Sequence, residues 1–203
     1  MRRSLLFIGT SAVALSLSTG TFAQPEKPAE GWSRSSDKQS RTLSYSSAAT
    51  VLGQNTHLDA TFYCNPEKTK DTTGALGFEV EIRDPGQIKS FHFDDFEGPD
   101  APALKRKLLT AAIVRPSGAA QRFQASPTGW YSVREGFVFE VSEVFYRKGS
   151  TARRVLEELR TDATALTLTI VDYRVSSTQL DLTIPMTGRS EDFRRLLAGL
   201  PSQ

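Results

Sequence analysis

Phe78-Glu79-Val80-Glu81-Ile82-Arg83 sets an apolar side chain at every second position. Side chains alternate across a strand, so this stretch reads as a half-buried β-strand. Phe78, Val80 and Ile82 point to a core, while Glu79 and Glu81 form the wet face rather than an acid–base pair. Asp84-Pro85-Gly86-Gln87 follows, with Pro and Gly at the central positions of a type II turn.

The same alternation extends in both directions. Leu58, Ala60, Phe62 and Cys64 share one face upstream, and residues 42–50 form a more polar strand. Downstream, residues 88–96 are expected to form the next strand, with Phe91 and Phe93 on it. Residues 108–115 end in Arg115-Pro116-Ser117-Gly118, and residues 119–125 end in Ser126-Pro127-Thr128-Gly129. Pro second and Gly fourth mark two type I turns. Residues 130–134 and 137–145 come next. Phe137, Phe139 and Val141 face one way, Val138 and Val144 the other, and Phe145 breaks the phase as at a bulge or a change of sheet.

Two segments switch to the helical period. Ala152, Val155, Leu156 and Leu159 form one apolar stripe after a Ser150 or Thr151 cap. Phe193, Leu196, Leu197 and Leu200 form another after Ser190, and Pro201 ends it. Between them, Leu166, Leu168 and Ile170 mark a strand, and Leu180, Leu182 and Ile184 a second. The expected fold is mainly β, an antiparallel β-sandwich or partly open barrel, with one intervening helix and a C-terminal helix.

The N-terminus has the anatomy of a secretory signal peptide over residues 1–23. Arg2 and Arg3 precede an apolar run from Leu5 to Leu17, and Thr21-Phe22-Ala23 supplies a cleavage site. That run is too short to stay in a membrane as a spanning helix. The double arginine also fits a twin-arginine leader, although the ordinary route needs no more than these two charges. The expectation is an exported protein, periplasmic or extracellular, beginning at Gln24. Residues 24–40 read as a flexible lead-in with Trp32 as a first anchor, and residues 41–203 as one β-rich domain with no transmembrane segment.

The chain holds 25 Lys and Arg against 23 Asp and Glu. Loss of Arg2 and Arg3 with the leader leaves a neutral domain, which argues against a nucleic-acid partner. Cys64 is the sole cysteine, so no internal disulfide can form. It reads as a small buried hydrophobe, with a reactive thiol as the alternative.

No nucleophile elbow, zinc-binding helix motif or phosphate-binding glycine loop is present. No catalytic residue, cofactor or metal is therefore expected. The densest carboxylate cluster, Asp94, Asp95, Glu97 and Asp100, is a weak calcium candidate without an EF-hand spacing. Lys105-Arg106-Lys107 beside it reads as local charge balance, with a phosphate or polyanion site as the alternative. His57 is placed in a polar turn and His92 on a strand surface. Pairing either with Cys64 as a dyad has no local signature. Trp130 and Tyr131 form the candidate interface, with core filling as the rival reading.

The order of landmarks resembles exported β-sandwich proteins of Gram-negative bacteria, the invasion-associated-locus-B-like proteins and the small periplasmic accessory proteins of type VI secretion. The matching residues are Trp32, Cys64 at a strand end, residues 180–185, Gly188 and the amphipathic segment 193–200. Members of that group carry further cysteines where this chain has Cys64 alone. The resemblance implies a non-catalytic binding or accessory role in the cell envelope, recognising a protein or envelope component. The alternative reading is a small-ligand carrier or hydrolase with a pocket inside the β-scaffold.

Overall fold

Alternating apolar positions in consecutive segments can be buried only if the strands pair and a second layer covers them. The computed structural model describes residues 31–36, 40–65, 74–144, 149–198 and 200, and it solves the problem with two antiparallel sheets. The predicted leader, most of the lead-in, Phe145 and Pro201 lie outside the described residues.

The first sheet begins as a meander of β1 (Gly31–Ser36), β2 (Arg41–Val51), β3 (Gln54–Asn65) and β4 (Ala75–Arg83). The chain then crosses to the second sheet for β5 (Leu109–Val114) and β6 (Ala120–Ala125). It returns for β7 (Thr128–Tyr131) and β8 (Gly136–Val144), which joins β4. Helix α1 (Thr151–Glu158) leads to β9 (Ala165–Val171) and β10 (Gln179–Pro185), and helix α2 (Ser190–Leu196) closes the chain. The sheet orders are β1-β2-β3-β4-β8-β7 and β10-β9-β5-β6. The expected β-sandwich with two helices is the observed fold.

The inner faces are filled by large side chains. Phe62, Phe78, Phe137, Phe139 and Phe193 are buried among Leu166, Leu168, Ile170, Leu180, Leu182 and Ile184. Trp32 is half-buried, packs on Tyr45 and Phe62, and donates its indole N–H to the Pro185 carbonyl at 3.2 Å. The first strand of one sheet is thereby tied to the last strand of the other. Trp32 anchors as expected, but from within a strand: β1 takes up residues 31–36 of the segment read as a flexible lead-in.

The β2–β3 hairpin turns on Leu52-Gly53, both with positive φ, 48° and 78°. Two such residues form the turn whose twist matches the strands, and Gly53 fits it without strain. Ser150 caps α1, its side chain accepting from the Arg153 amide at 3.3 Å. For α2 the cap position is Arg189, one residue before Ser190, with no side-chain cap bond.

Two turn readings and one strand reading are corrected. Asp84 has φ 50° and Pro85–Gln87 is a 3-10 turn, so the type II geometry is absent there. Residues 88–96 are not a strand. Their amides bond three residues back, from Ile88 to Pro85 and from Asp95 to His92, and Phe93–Phe96 is a 3-10 turn. Their aromatic rings plug one end of the sandwich, where Phe91, Phe93 and Phe96 all pack on Phe139. Thr128 and Gly129 belong to β7 rather than to a turn, because the chain changes sheets there. The Arg115–Gly118 turn is closed as expected by the Gly118 amide on the Arg115 carbonyl, 2.9 Å.

Candidate functional site

Pairing register decides which solvent-facing side chains become neighbours. On the outer face of the six-stranded sheet, Ser46, Asp59, Glu81, Val138 and Trp130 are successive cross-strand partners. The adjacent row is Ser44, Thr61, Glu79, Glu140 and Thr128. Asp59 therefore stands opposite Glu81, and Glu79 opposite Glu140. Like charges directly opposite are destabilising in a sheet. An open groove of about 440 Å³ is lined by Asp59, Glu79 and Glu81, with Trp130, Ser132 and Arg134 on one side and Ser33 and Ser44 on the other; Glu140 and Thr128 lie beside it in an adjoining cleft.

The charge on the two rows is unevenly compensated. Arg83 bonds Asp59 at 2.6 Å and lies 3.6 Å from Glu81. Ser132 also donates to Glu81. Glu140 accepts from the Tyr63 hydroxyl. Glu79 has no hydrogen-bond or ion-pair partner among the described residues. Burial raises the Glu79 pKa, and Glu140 and Glu81 push it further up. Burial also acts to raise the Asp59 pKa, but bonds from Ser46 and Arg83 outweigh it and hold the group below its usual value. The same two effects, burial and the Glu140 charge, raise the Tyr63 hydroxyl.

Two glycines make the arrangement possible. A Cβ on Gly77 would stand 2.7 Å from the Tyr63 hydroxyl, and one on Gly136 would strike the Glu81 carboxylate. Their missing side chains let those polar groups lie flat on the sheet.

His57 is on β3, not in a turn. Its Nε2 lies 2.7 Å from Ser46 Oγ and 3.5 Å from Asp59 Oδ1. Serine, histidine and aspartate do meet, but the carboxylate approaches the same ring nitrogen as the hydroxyl. A relay triad needs it on the other nitrogen, so this is a hydrogen-bonded cluster and not an activated nucleophile. Cys64 lies on the core face of the same strand, fully buried, and burial pushes its thiol up to about 11. His57 and Cys64 point to opposite faces of β3, which separates the dyad considered from sequence.

The remaining sequence candidates are dispersed. Trp130 faces the groove and is 38% exposed. Tyr131 points the other way, packs edge-on against Phe137 and donates to Asp94 at 2.6 Å. The two aromatics therefore do not share one surface. Asp95 is held by Arg174 through bonds of 2.6 and 2.8 Å, while Glu97 and Asp100 are exposed. Among the described residues no group of three His, Cys, Asp or Glu is placed to hold a metal. His92 sits in a turn rather than on a strand and bonds Asp172. Arg106 lies 4.5 Å from the Tyr173 ring, and Lys107 reaches a different cleft.

Sequence reasoning missed the groove. Glu79 and Glu81 read as an ordinary wet face, and only the register brings Asp59 and Glu140 beside them. Comparison of the chain with family models, with curated proteins and with solved structures finds no match. No described helix is long and apolar enough to cross a membrane.

Proposed function

We propose that the protein is an exported, non-catalytic binding module of the cell envelope, and that the outer-face groove recognises a cationic segment of a protein partner. One observation carries this reading: carboxylates stand directly opposite each other in two cross-strand pairs, with Arg83 as the one guanidinium among the described residues within ion-pair distance of them. Such a face costs stability when empty and gains when a cation enters. Trp130 offers an aromatic wall that suits an ammonium or guanidinium. Packed inner faces and outward-opening clefts favour surface recognition over the alternative of an interior pocket. The leader anatomy and the landmarks shared with exported envelope proteins support the location.

The test is a titration of residues 24–203 with hexalysine, read by Trp130 fluorescence and calorimetry. Saturable binding is expected, weakened about tenfold in Glu79→Gln/Glu140→Gln. Absence of binding, or equal affinity in the double variant, overturns the proposal. Asp59 and Glu79, shifted in opposite directions on adjacent strands, also fit a base-and-acid pair. Cleavage of the bound peptide, read by mass in the same samples, would replace recognition with hydrolysis.

A further inference from the structure

The opposite charge collects at the other sheet. An open cleft of about 620 Å³ lies where β6, the edge of the four-stranded sheet, meets α1. Lys107 enters it from the segment before β5, Arg122 from β6 and Arg154 from α1. The remaining lining residues are Thr110, Phe123, Gln124, Thr151 and Thr169, with no carboxylate among them.

These cations differ from others in the chain. Arg83, Arg115, Arg153, Arg174 and Arg189 each bond a carboxylate. Lys107, Arg122 and Arg154 are exposed, and none makes an ion pair among the described residues. Lys107 also borders a second cleft that holds Glu140 and Glu143, without reaching salt-bridge distance of either. The Phe123 ring, 5.1 Å from the Arg154 guanidinium, restrains that side chain at the cleft wall. Hydroxyls contribute less: Thr151 donates to the Gln124 carbonyl and Thr169 to Asp181, which leaves Thr110 free to bond a ligand. Like charges gathered without counter-ions raise one another's potential, and that field is relieved by an anion. Two guanidiniums and an ammonium supply charge-assisted donors from three directions, an arrangement that suits a tetrahedral oxyanion better than a planar carboxylate.

We propose that this cleft binds a phosphate or sulfate group, carried by a molecule larger than the free ion. The inference is independent of the carboxylate groove and goes beyond it. The cleft volume leaves room for a sugar or headgroup beside the anion, with Phe123 and the threonines as its floor.

The experiment titrates residues 24–203 with glucose 6-phosphate, inorganic phosphate and glucose, and adds flotation with phosphatidic-acid and phosphatidylcholine vesicles. Saturable binding of the phosphorylated sugar is expected, tighter than inorganic phosphate and absent for glucose. Arg122→Gln and Arg154→Gln should each weaken it about tenfold. Both side chains are exposed, so the variants are expected to keep the wild-type circular dichroism. Glu79→Gln, in the other site, should leave the affinity unchanged. Flotation with phosphatidic acid, lost in both variants, would assign the anion to a lipid headgroup; binding of the soluble sugar alone would assign it to a free molecule. Absence of saturable binding in every arm, or binding that survives both substitutions, overturns the proposal.

Discussion

Two sets of carboxylates occupy this molecule, and they are handled in opposite ways. The acidic loop around residues 94–100 sits on the plugged end of the sandwich, and its one buried acid, Asp95, is paired. Asp95 takes a bidentate Arg174, Asp94 accepts from Tyr131, and the neighbouring Asp172 is enclosed by hydrogen-bond donors. On the outer sheet face the carboxylates oppose one another, and among the described residues Glu79 has neither a cation nor a donor. Proteins satisfy buried polar groups wherever stability alone is at stake. The loop therefore reads as a structural latch, and the sheet face as a surface whose complement comes from outside.

The largest difference between the two sets should appear at Asp172. Its Oδ2 accepts from the His92 amide at 2.7 Å and approaches His92 Nδ1 at 3.0 Å, while its Oδ1 accepts the Arg174 and Val175 amides, each at 2.8 Å. One carboxylate thereby joins the aromatic plug to the β9–β10 hairpin. Asp172→Ala leaves those amides without an acceptor and should cost about 3 kcal/mol in urea denaturation. The pH signature is specific. Burial opposes ionisation of Asp172, but these bonds together hold its pKa below the usual carboxylate value. Its contribution is therefore full at neutral pH and is lost as pH falls through the folded-state value. The variant should lose part of the wild-type acid sensitivity below pH 4. An unchanged acid limb would mean that the latch does not stabilise through its charge.

A smaller effect is expected one bond away. Asp95 is buried and Arg174 is half-exposed, so solvent screens part of their attraction. A double-mutant cycle of Asp95→Ala and Arg174→Ala should give a favourable coupling, smaller than the Asp172 effect but measurable, because the geometry is bidentate. A coupling near zero would make the loop no better compensated than the sheet face and would remove the contrast.

The residues themselves explain what could be read in advance. Strands β3, β4, β9 and β10 and helix α1 announce themselves because burial imposes a period on local sequence. Residues 88–96 mimic that period through Phe91 and Phe93, yet Asp84 in the left-handed region and Pro85 start a train of turns instead. Strand β1 is hidden because its one large apolar residue, Trp32, serves a corner where the sheets meet. The acidic loop was conspicuous because its carboxylates are contiguous, and contiguity says nothing about who pairs with them. Both candidate sites were legible only in fragments, Trp130 of the one and Lys107 of the other, for the reverse reason. Asp59, Glu79 and Glu140 meet only through register, and Lys107, Arg122 and Arg154 only through the packing of α1 beside β6.

The finest test of the contrast is Glu79→Gln, where removing a charge should help. Glu79 holds its proton to higher pH in the folded chain than in the unfolded one, first through burial and then through Glu140 and Glu81. Its stabilising contribution is thus full below the unfolded carboxyl value of about 4.3. It declines as pH rises from there and levels off once the folded group has ionised. Glutamine keeps the shape and never ionises, so the variant and the wild type should coincide near pH 4 and diverge towards pH 7. A gain of about 0.5 kcal/mol is expected, the usual scale for relieving one like-charge pair across strands. In scanning calorimetry that is a rise in Tm of roughly 1–2 °C for a domain of this size. The same substitution should weaken hexalysine, so a single residue would raise stability while lowering affinity, as residues kept for recognition do. A loss of stability at pH 7 would show instead that Glu79 is satisfied within the fold, and the sheet face would then be as structural as the loop.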